Sequence, residues 1–244
     1  MADLFVAMLS NSTAHIYPTD IKVTELTKLA IEAAVTVSTN TDSFFDPRNN
    51  LDAKTRTQYK IARDLIGNNS KTRGGVTSNY TNKFLVNDTE TIQELLVRNP
   101  NPLPWKFTDY VILSNGFCGS SCALVSQTLE ELFNVTTVAV GGFYNTSLSF
   151  ASFTGGQVST LDQMLSDLNS SRINSTNNNL VPKKLPTNIV FTFPFKEAYS
   201  FKGTGEIVME FEFRPAKHRI YYDSKSIRDP SNLWLQAVNF IQGN

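Results

Sequence analysis

The sequence predicts an α/β fold, and three observations carry that prediction. The first is a strand–helix–strand pattern: "YVILS" reads as a buried strand, "SCALVSQTLEELF" as a helix and "VTTVAVGG" as a second buried strand. Such a unit is a right-handed crossover whose two strands lie parallel. The second is the alternation of helical and extended patterns along the rest of the chain. The third is size: 244 residues lie near the length at which one core stops growing, so a single domain over 1–244 is expected.

The elements follow in order. "MADLFVAML" is apolar but short, contains Asp3 and lacks a basic leader and a small-residue cleavage site, so it does not read as a signal peptide. In "KVTELTKLAIEAAVTV", residues 22–37, Leu26, Leu29, Ala30, Ala33 and Val37 fall at helical spacing, with Pro18 and Asp20 as start signals. From 40 to 80 the composition turns polar and an exposed excursion covering part of the core is expected. There "TDSFFDPRNNLDAKT" reads as turns, "TQYKIARDLIG" as a short helix ending at Gly67 and "NNSKTRGG" as a loop. "TETIQELLV" is a helical piece, and the prolines of "RNPNPLPW" exclude regular structure.

After the parallel pair, "FYNTSLSFASFTGGQ" suits a loop lining a site, "TLDQMLSDL" a helix, and 165–185, with "NSSRINSTNNN", a polar loop. "TNIVFTFPF" and "GEIVMEFEFRP" read as strands, the second alternating in "IVMEFEF". "DPSNLWLQAVNFI" closes the chain as an N-capped helix.

Composition narrows the function. Lys+Arg and Asp+Glu both number 22, and no basic stripe with interleaved aromatics occurs, which argues against a nucleic-acid partner. No run approaches 18 apolar residues, so no membrane span is expected. Asn-x-Ser/Thr sequons begin at Asn11, Asn68, Asn79, Asn87, Asn134, Asn145, Asn169 and Asn174, which votes for a secreted, extracellular glycoprotein.

The densest chemistry lies in "DYVILSNGFCGSSCAL", where a strand ends in Gly116-Phe117-Cys118-Gly119-Ser120-Ser121-Cys122 and a helix begins. A nucleophile held at a helix N-terminus has unpaired N–H groups and the positive end of the helix dipole available for an oxyanion. Ser120 and Ser121 are both placed for that role, and Gly116 and Gly119 permit the turn. The plainer reading makes either serine an N-cap. Cys118 and Cys122, four apart, lack further Cys or nearby His for zinc. They serve as small buried residues, as a geometrically demanding local bridge, or as a thiol nucleophile activated by the helix start. A nucleophile also needs a base. The chain has two histidines, His15 and His218, and no lysine between Lys106 and Lys183.

At this corner the sequence resembles the C-terminal processing, or tail-specific, serine protease family, which includes the tricorn core protease and the chlamydial protease-like activity factor. The likeness is strongest to a fungal, secreted-looking branch in which a Cys-small-Ser-x-Cys motif carries the nucleophile. It extends to "SFFDPRN", "GGVTSNYTNKF", "VGGFYNTSLSFASFTGGQ" and "EFEFRPAKHRIYYDSKSIRDPSNLW", nearly the whole chain. The resemblance implies a ClpP/crotonase-like βα core with parallel strands, the N-terminal part of the family fold missing, and peptide-bond hydrolysis through an acyl-enzyme without a cofactor or metal.

Matched residue by residue, the nucleophile is Ser120, with Gly119 beside it and Ser121 as oxyanion amide or alternative nucleophile. Phe143, Tyr144, Phe150, Gly155 and Gly156 would line the substrate cleft. The pattern also departs from the family. The lysine-free interval removes the serine–lysine dyad of bacterial members, His15 does not match the family's catalytic histidine, and Lys217 stands where an Asp is usual in the "RPA" motif. Glu210 or Glu212 could orient a base.

The leading expectation is therefore a serine-type peptidase seen as its nucleophile-bearing C-terminal part, acting on a polypeptide substrate and partnered by the missing N-terminal portion. The alternative is an inactive peptide- or ligand-binding module of the same fold, because losing a triad member costs several orders of magnitude in rate. A thiol hydrolase through Cys118 or Cys122 is the third reading.

Overall fold

A computed structural model describes residues 2–11, 17–99, 103–186, 189–200 and 207–242. In chain order these form α1 (Ala2–Ser10), β1 (Thr19–Ile21), α2 (Glu25–Ala34), β2 (Asn50–Asp52), α3 (Ala62–Ile66), β3 (Asn69–Arg73), β4 (Val76–Tyr80), β5 (Phe84–Val86) and α4 (Thr89–Arg98). There follow β6 (Val111–Ser114), α5 (Ser121–Phe133), β7 (Thr136–Val140), β8 (Val158–Thr160), α6 (Leu161–Ser170), β9 (Thr192–Pro194) and β10 (Lys196–Ala198). The last elements are β11 (His218–Ile220), α7 (Ser224–Arg228) and α8 (Ser231–Gln242). None of these helices is long and apolar enough to cross a membrane.

The chain is a mixed α/β protein that divides into two compact units, one from 1–16, 89–155 and 200–244, the other from 17–88 and 156–199. The first unit holds a parallel sheet in the order β11-β7-β6. Leu113 and His218 both lie level with Val138, and Ile220 with Val140. Successive residues of a strand point to opposite faces. Accordingly Val111, Leu113, Val138, Val140 and Ile220 pack with Leu233 and Ala237 of α8, while Ile112 packs with Ala123 of α5, Phe150 and Ala151. Both faces are covered, which explains why these strands read as continuous apolar runs. Fully burying each such branched side chain contributes about 1.5–3 kcal/mol. Helix α5 spans the residues that its apolar period marks, and Asn134 ends it at φ 56°, the left-handed C-cap geometry.

The second unit is antiparallel, with sheet order β10-β1-β5-β2 and a core of Ile21, Ala30, Ile31, Phe45, Tyr59, Leu65, Phe84 and Leu168. Four expectations change here. The stretch 40–80 is no excursion, since Phe45, Tyr59 and Leu65 are core. "NNSKTRGG" is not a loop: β3 pairs with β4 in a hairpin, Arg73 opposite Val76, closed by Gly74 and Gly75 at φ 55° and 80°, which are the positive values a tight two-residue turn needs. Within 165–185, residues 165–170 belong to α6, and Ile173 and Val181 are buried. The start signal of α2 is Thr24, which accepts from the Thr27 N–H, while Asp20 lies in β1.

One strand expectation is met only in part, and another fails. "TNIVFTFPF", whose residues 187–188 lie outside the described ones, yields the short β9, with β10 beyond it in a different sheet. The described part of "GEIVMEFEFRP" curls into one 3-10 turn at Met209–Phe211, closed by Phe211 N–H to Val208 O at 3.0 Å. Apart from a single bridge of Pro215 to Ser149, no strand among the described residues pairs with its alternating run, and Phe211 and Phe213 stay exposed.

Charges are handled differently in the two units. In the second, Lys71 donates to Asp20 and to the Tyr199 hydroxyl and lies 3.5 Å from Glu197, which also pairs with Arg73 at 3.1 Å. Burial lifts the Asp20 carboxyl above its ordinary range despite Lys71. In the first unit, Arg214 donates to buried Glu131 and to Glu212, both at 2.9 Å, and Ser200 also donates to Glu131.

Candidate active site

The elbow is built from the end of β6 onward. Gly116 N–H donates to Ser114 Oγ at 3.1 Å, and Phe117 N–H to Asn115 Oδ1 at 3.1 Å. Gly116 turns the chain at φ 89°, a value glycine adopts freely. Cys118 and Cys122 are joined by a disulfide that brackets Gly119, Ser120 and Ser121. No cysteine remains as a free thiol, which corrects the thiol-nucleophile reading.

Ser120 has φ 57° and ψ −126° and is the residue before α5. A non-glycine residue in this region costs on the order of 1–3 kcal/mol and persists only where its surroundings enforce it. The enforcement comes from residues 152–155. Ser120 N–H donates to Phe153 O at 2.8 Å, Ser152 N–H donates to Cys118 O at 2.9 Å, and Ser120 bridges Thr154 in parallel register. A Cβ on Gly155 would lie 2.8 Å from Ser120 C and 2.9 Å from Ser121 N, and one on Gly119 would lie 2.9 Å from the Phe153 ring. Gly155 is therefore fixed by close backbone approach and Gly119 by the side chains of Phe153 and Ser152.

The side chain of Ser120 is exposed and makes no capping hydrogen bond, which sets aside the N-cap reading for it. Its N–H is spent on Phe153, so the elbow amide left for an oxyanion is that of Ser121, at the first position of α5. Glycine at 155 keeps a side chain off that amide.

The other expected site residues distribute unevenly. Phe143 and Tyr144 are exposed on the loop after β7, Tyr144 stacked on Tyr221 at 4.4 Å. That loop is tied down by Arg219, which donates to Thr146 O at 2.7 Å and to Gly141 O. Phe150 is 1% exposed and packs on Ala123; it is core, not a cleft wall, because its neighbour Ala151 and the β6–α5 face enclose it. Gly156, at φ 77°, falls in the other unit. Sequence reasoning missed Phe117, 93% exposed beside the elbow, and placed Phe153, 53% exposed, in the site-lining loop without singling it out, although it lies close to Gly119. Their adjacency to "CGSS" and "TGG" was the available signal.

His15 lies outside the described residues, and His218 stacks on Phe240 at 4.2 Å rather than hydrogen-bonding to Ser120. Glu212 is taken by Arg214 at 2.9 Å, Glu210 sits in the Met209–Phe211 turn, and Lys217 Nζ donates to Asn134 Oδ1 at 2.7 Å. Beside the disulfide, a cavity of about 340 Å³ opens among Leu113, Asn115, Phe117, Cys118, Val140 and Tyr222. These residues sit at or just past the carboxyl ends of the three parallel strands, where open α/β sheets place their ligands. No group of metal-binding side chains occurs among the described residues.

No family model, curated protein or solved structure matches this chain.

Proposed function

We propose that the protein is a serine-type peptidase of the tail-specific family, with a ClpP/crotonase-like core, working through an acyl-enzyme on Ser120. The observation that carries this reading is the backbone of Ser120. An exposed, uncapped serine is held at φ 57° on a strand-to-helix turn, the arrangement that lifts a nucleophile above a sheet. Ser120 Oγ attacks the scissile carbonyl carbon, and the Ser121 N–H supports the oxyanion. The C–N bond then breaks, the amine leaves with a proton, and water releases the acyl group. The apolar cavity beside the disulfide receives a substrate side chain, with Phe117, Phe143 and Phe153 flanking the peptide. The base comes from a group outside the described residues, in keeping with a family branch whose histidine precedes this region. Passage through an oxidising, secretory compartment accords with the Cys118–Cys122 bridge and with the sequons.

A fluorophosphonate probe tests this reading on the full-length gene product. Modification of Ser120, lost in Ser120→Ala, is the expected result, and absence of any labelling overturns it. One observation favours a second reading, a peptide-binding module without catalysis: no base is hydrogen-bonded to Ser120 Oγ among the described residues. That reading predicts peptide binding that survives Ser120→Ala with no labelling.

A further inference from the structure

The eight sequons of the sequence cease to be equivalent once the chain folds. At Asn79 the sequon hydroxyl belongs to Thr81, which is 1% exposed and whose Oγ1 accepts from the Ile21 N–H at 3.2 Å. At Asn169 it belongs to Ser171, which is buried and donates to Ser43 Oγ at 2.9 Å. Asn134 caps the end of α5 with its Oδ1 accepting from Lys217 Nζ, and Asn174 Oδ1 accepts from the Thr176 and Asn177 N–H groups. Asn145, Thr146 and Ser147, by contrast, are all exposed, so this acceptor sequence is reachable in the nascent chain and in the folded one alike.

The backbone around Asn145 is held in place. Thr146 Oγ1 donates to Phe143 O at 2.9 Å, and Arg219 donates to Thr146 O at 2.7 Å and to Gly141 O. Asn145 sits in the resulting turn at φ 58°, a left-handed conformation that asparagine tolerates better than most residues. Phe143, two residues ahead of it, is 84% exposed, and two residues of chain span at most about 7 Å. Tyr144, between them, is engaged by Tyr221, their ring centroids 4.4 Å apart. Of the eight sequons, only this one has an aromatic residue two positions ahead of its asparagine; the others have an aliphatic, polar or charged residue there.

We propose that Asn145 is an N-glycan acceptor and that the Phe143 ring seats the first sugar. The C–H face of an N-acetylhexosamine lies against the negative face of a phenyl ring, and covering the ring takes its apolar surface out of water. Transfer uses a lipid-linked diphospho-oligosaccharide as donor. The bond from the sugar C1 to the diphosphate oxygen breaks, C1 bonds to Asn145 Nδ2, Nδ2 gives up one proton and the lipid diphosphate leaves. The loop that carries the sugar borders the elbow, since a Cβ on Gly116 would lie 3.7 Å from Ser149 O and 3.9 Å from the Leu148 side chain. A phenyl ring has two faces, so one seats the sugar while the other stays with the cleft. The proposal rests on the reading that the chain passes through a secretory compartment, and not on Ser120.

Glycopeptide mass spectrometry tests it on the intact 244-residue chain, directed into the secretory route of a glycosylating eukaryotic host. Asn145 should carry sugar in most molecules, and Ser147→Ala should abolish it. Phe143→Ala should lower occupancy at Asn145 by about twofold or more while occupancy at exposed Asn68 stays the same. The C–H proton resonances of the first sugar should lie upfield through the ring current of Phe143 and return to ordinary positions in Phe143→Ala, whereas Phe143→Tyr should keep both occupancy and shift. A bare Asn145, or an occupancy and resonances that Phe143→Ala leaves unmoved, overturns the proposal. Sugar at Asn145 of the directed chain with none on the native gene product supports the acceptor and overturns the secretory reading alone.

Discussion

The two units solve the same problem, burying a small sheet, with opposite means. The parallel sheet of the first is apolar on both faces and carries at its carboxyl end an exposed serine in a costly backbone conformation. The antiparallel sheet of the second buries Asp20 against Lys71 and Tyr199, and Asp46 against Arg48, which donates to it at 2.7 Å. Apolar packing is non-directional and tolerates a strained turn beside it, whereas paired charges demand fixed geometry and respond to pH. The first unit is accordingly the better platform for a nucleophile, and the second the more sensitive to its solution. Both tryptophans, Trp105 and Trp234, lie in the first unit, while buried Tyr59, Tyr80 and Tyr199 lie in the second. Tryptophan emission therefore follows the first unit.

The largest effect should come from removing a cation in each unit. Arg214→Met removes the cation that pairs with Glu131, whose side chain is 0% exposed, and should cost about 3–5 kcal/mol, read by urea unfolding through tryptophan emission. Lys71→Met should cost less, about 1–3 kcal/mol, because Asp20, already lifted by burial, takes up a proton instead. Equal losses would erase the distinction drawn between the units.

Gly155→Ala should cost about 1–3 kcal/mol by overpacking and slow fluorophosphonate labelling of Ser120 at least tenfold, since its Cβ would meet the Ser120–Ser121 peptide at 2.8 Å. Unchanged labelling would show that the elbow does not depend on that contact. Replacing both Cys118 and Cys122 by Ser should cost about 2 kcal/mol, the chain-entropy value for so short a loop, measured as a lower urea midpoint for the first unit alone.

The smallest effects are pH slopes. For Asp46, burial alone would raise the pKa, but hydrogen bonds from Arg48 and Thr41 outweigh it and the carboxyl titrates below its ordinary value. Its contribution is present above the usual carboxylate range, near pH 4, and is lost as pH falls through the folded value. Asp20 works in reverse: its folded pKa is raised, so its contribution is greatest at low pH and declines as pH rises past 4. Melting curves of Asp46→Asn and Asp20→Asn against the parent between about pH 3 and 7 should show slope changes of opposite sign.

The same contrast explains what could be read from the sequence. The boundaries of α5 and of the strands flanking it are legible because apolar side chains on both faces leave an unbroken pattern. The second unit was misread because a strand buried through Asp20, or a hairpin anchored by Lys71, looks polar and hence loop-like. Only Gly74-Gly75 marked that hairpin. At the elbow, the serines and their brackets were visible as a motif, yet the depletion of the Ser120 amide by Phe153 was not. Contacts between residues distant in sequence, such as His218 on Phe240, leave no periodic trace.

The division of the chain into 1–16, 89–155 and 200–244 against 17–88 and 156–199 also bears on how the protein comes into being. The elbow and its parallel pair leave the ribosome well before β11 and α8, which complete their sheet and cover one of its faces. The whole of the second unit's remaining segment, 156–199, is made in the interval. The sheet beneath Ser120 is therefore completed only after the second unit's last segment has been made.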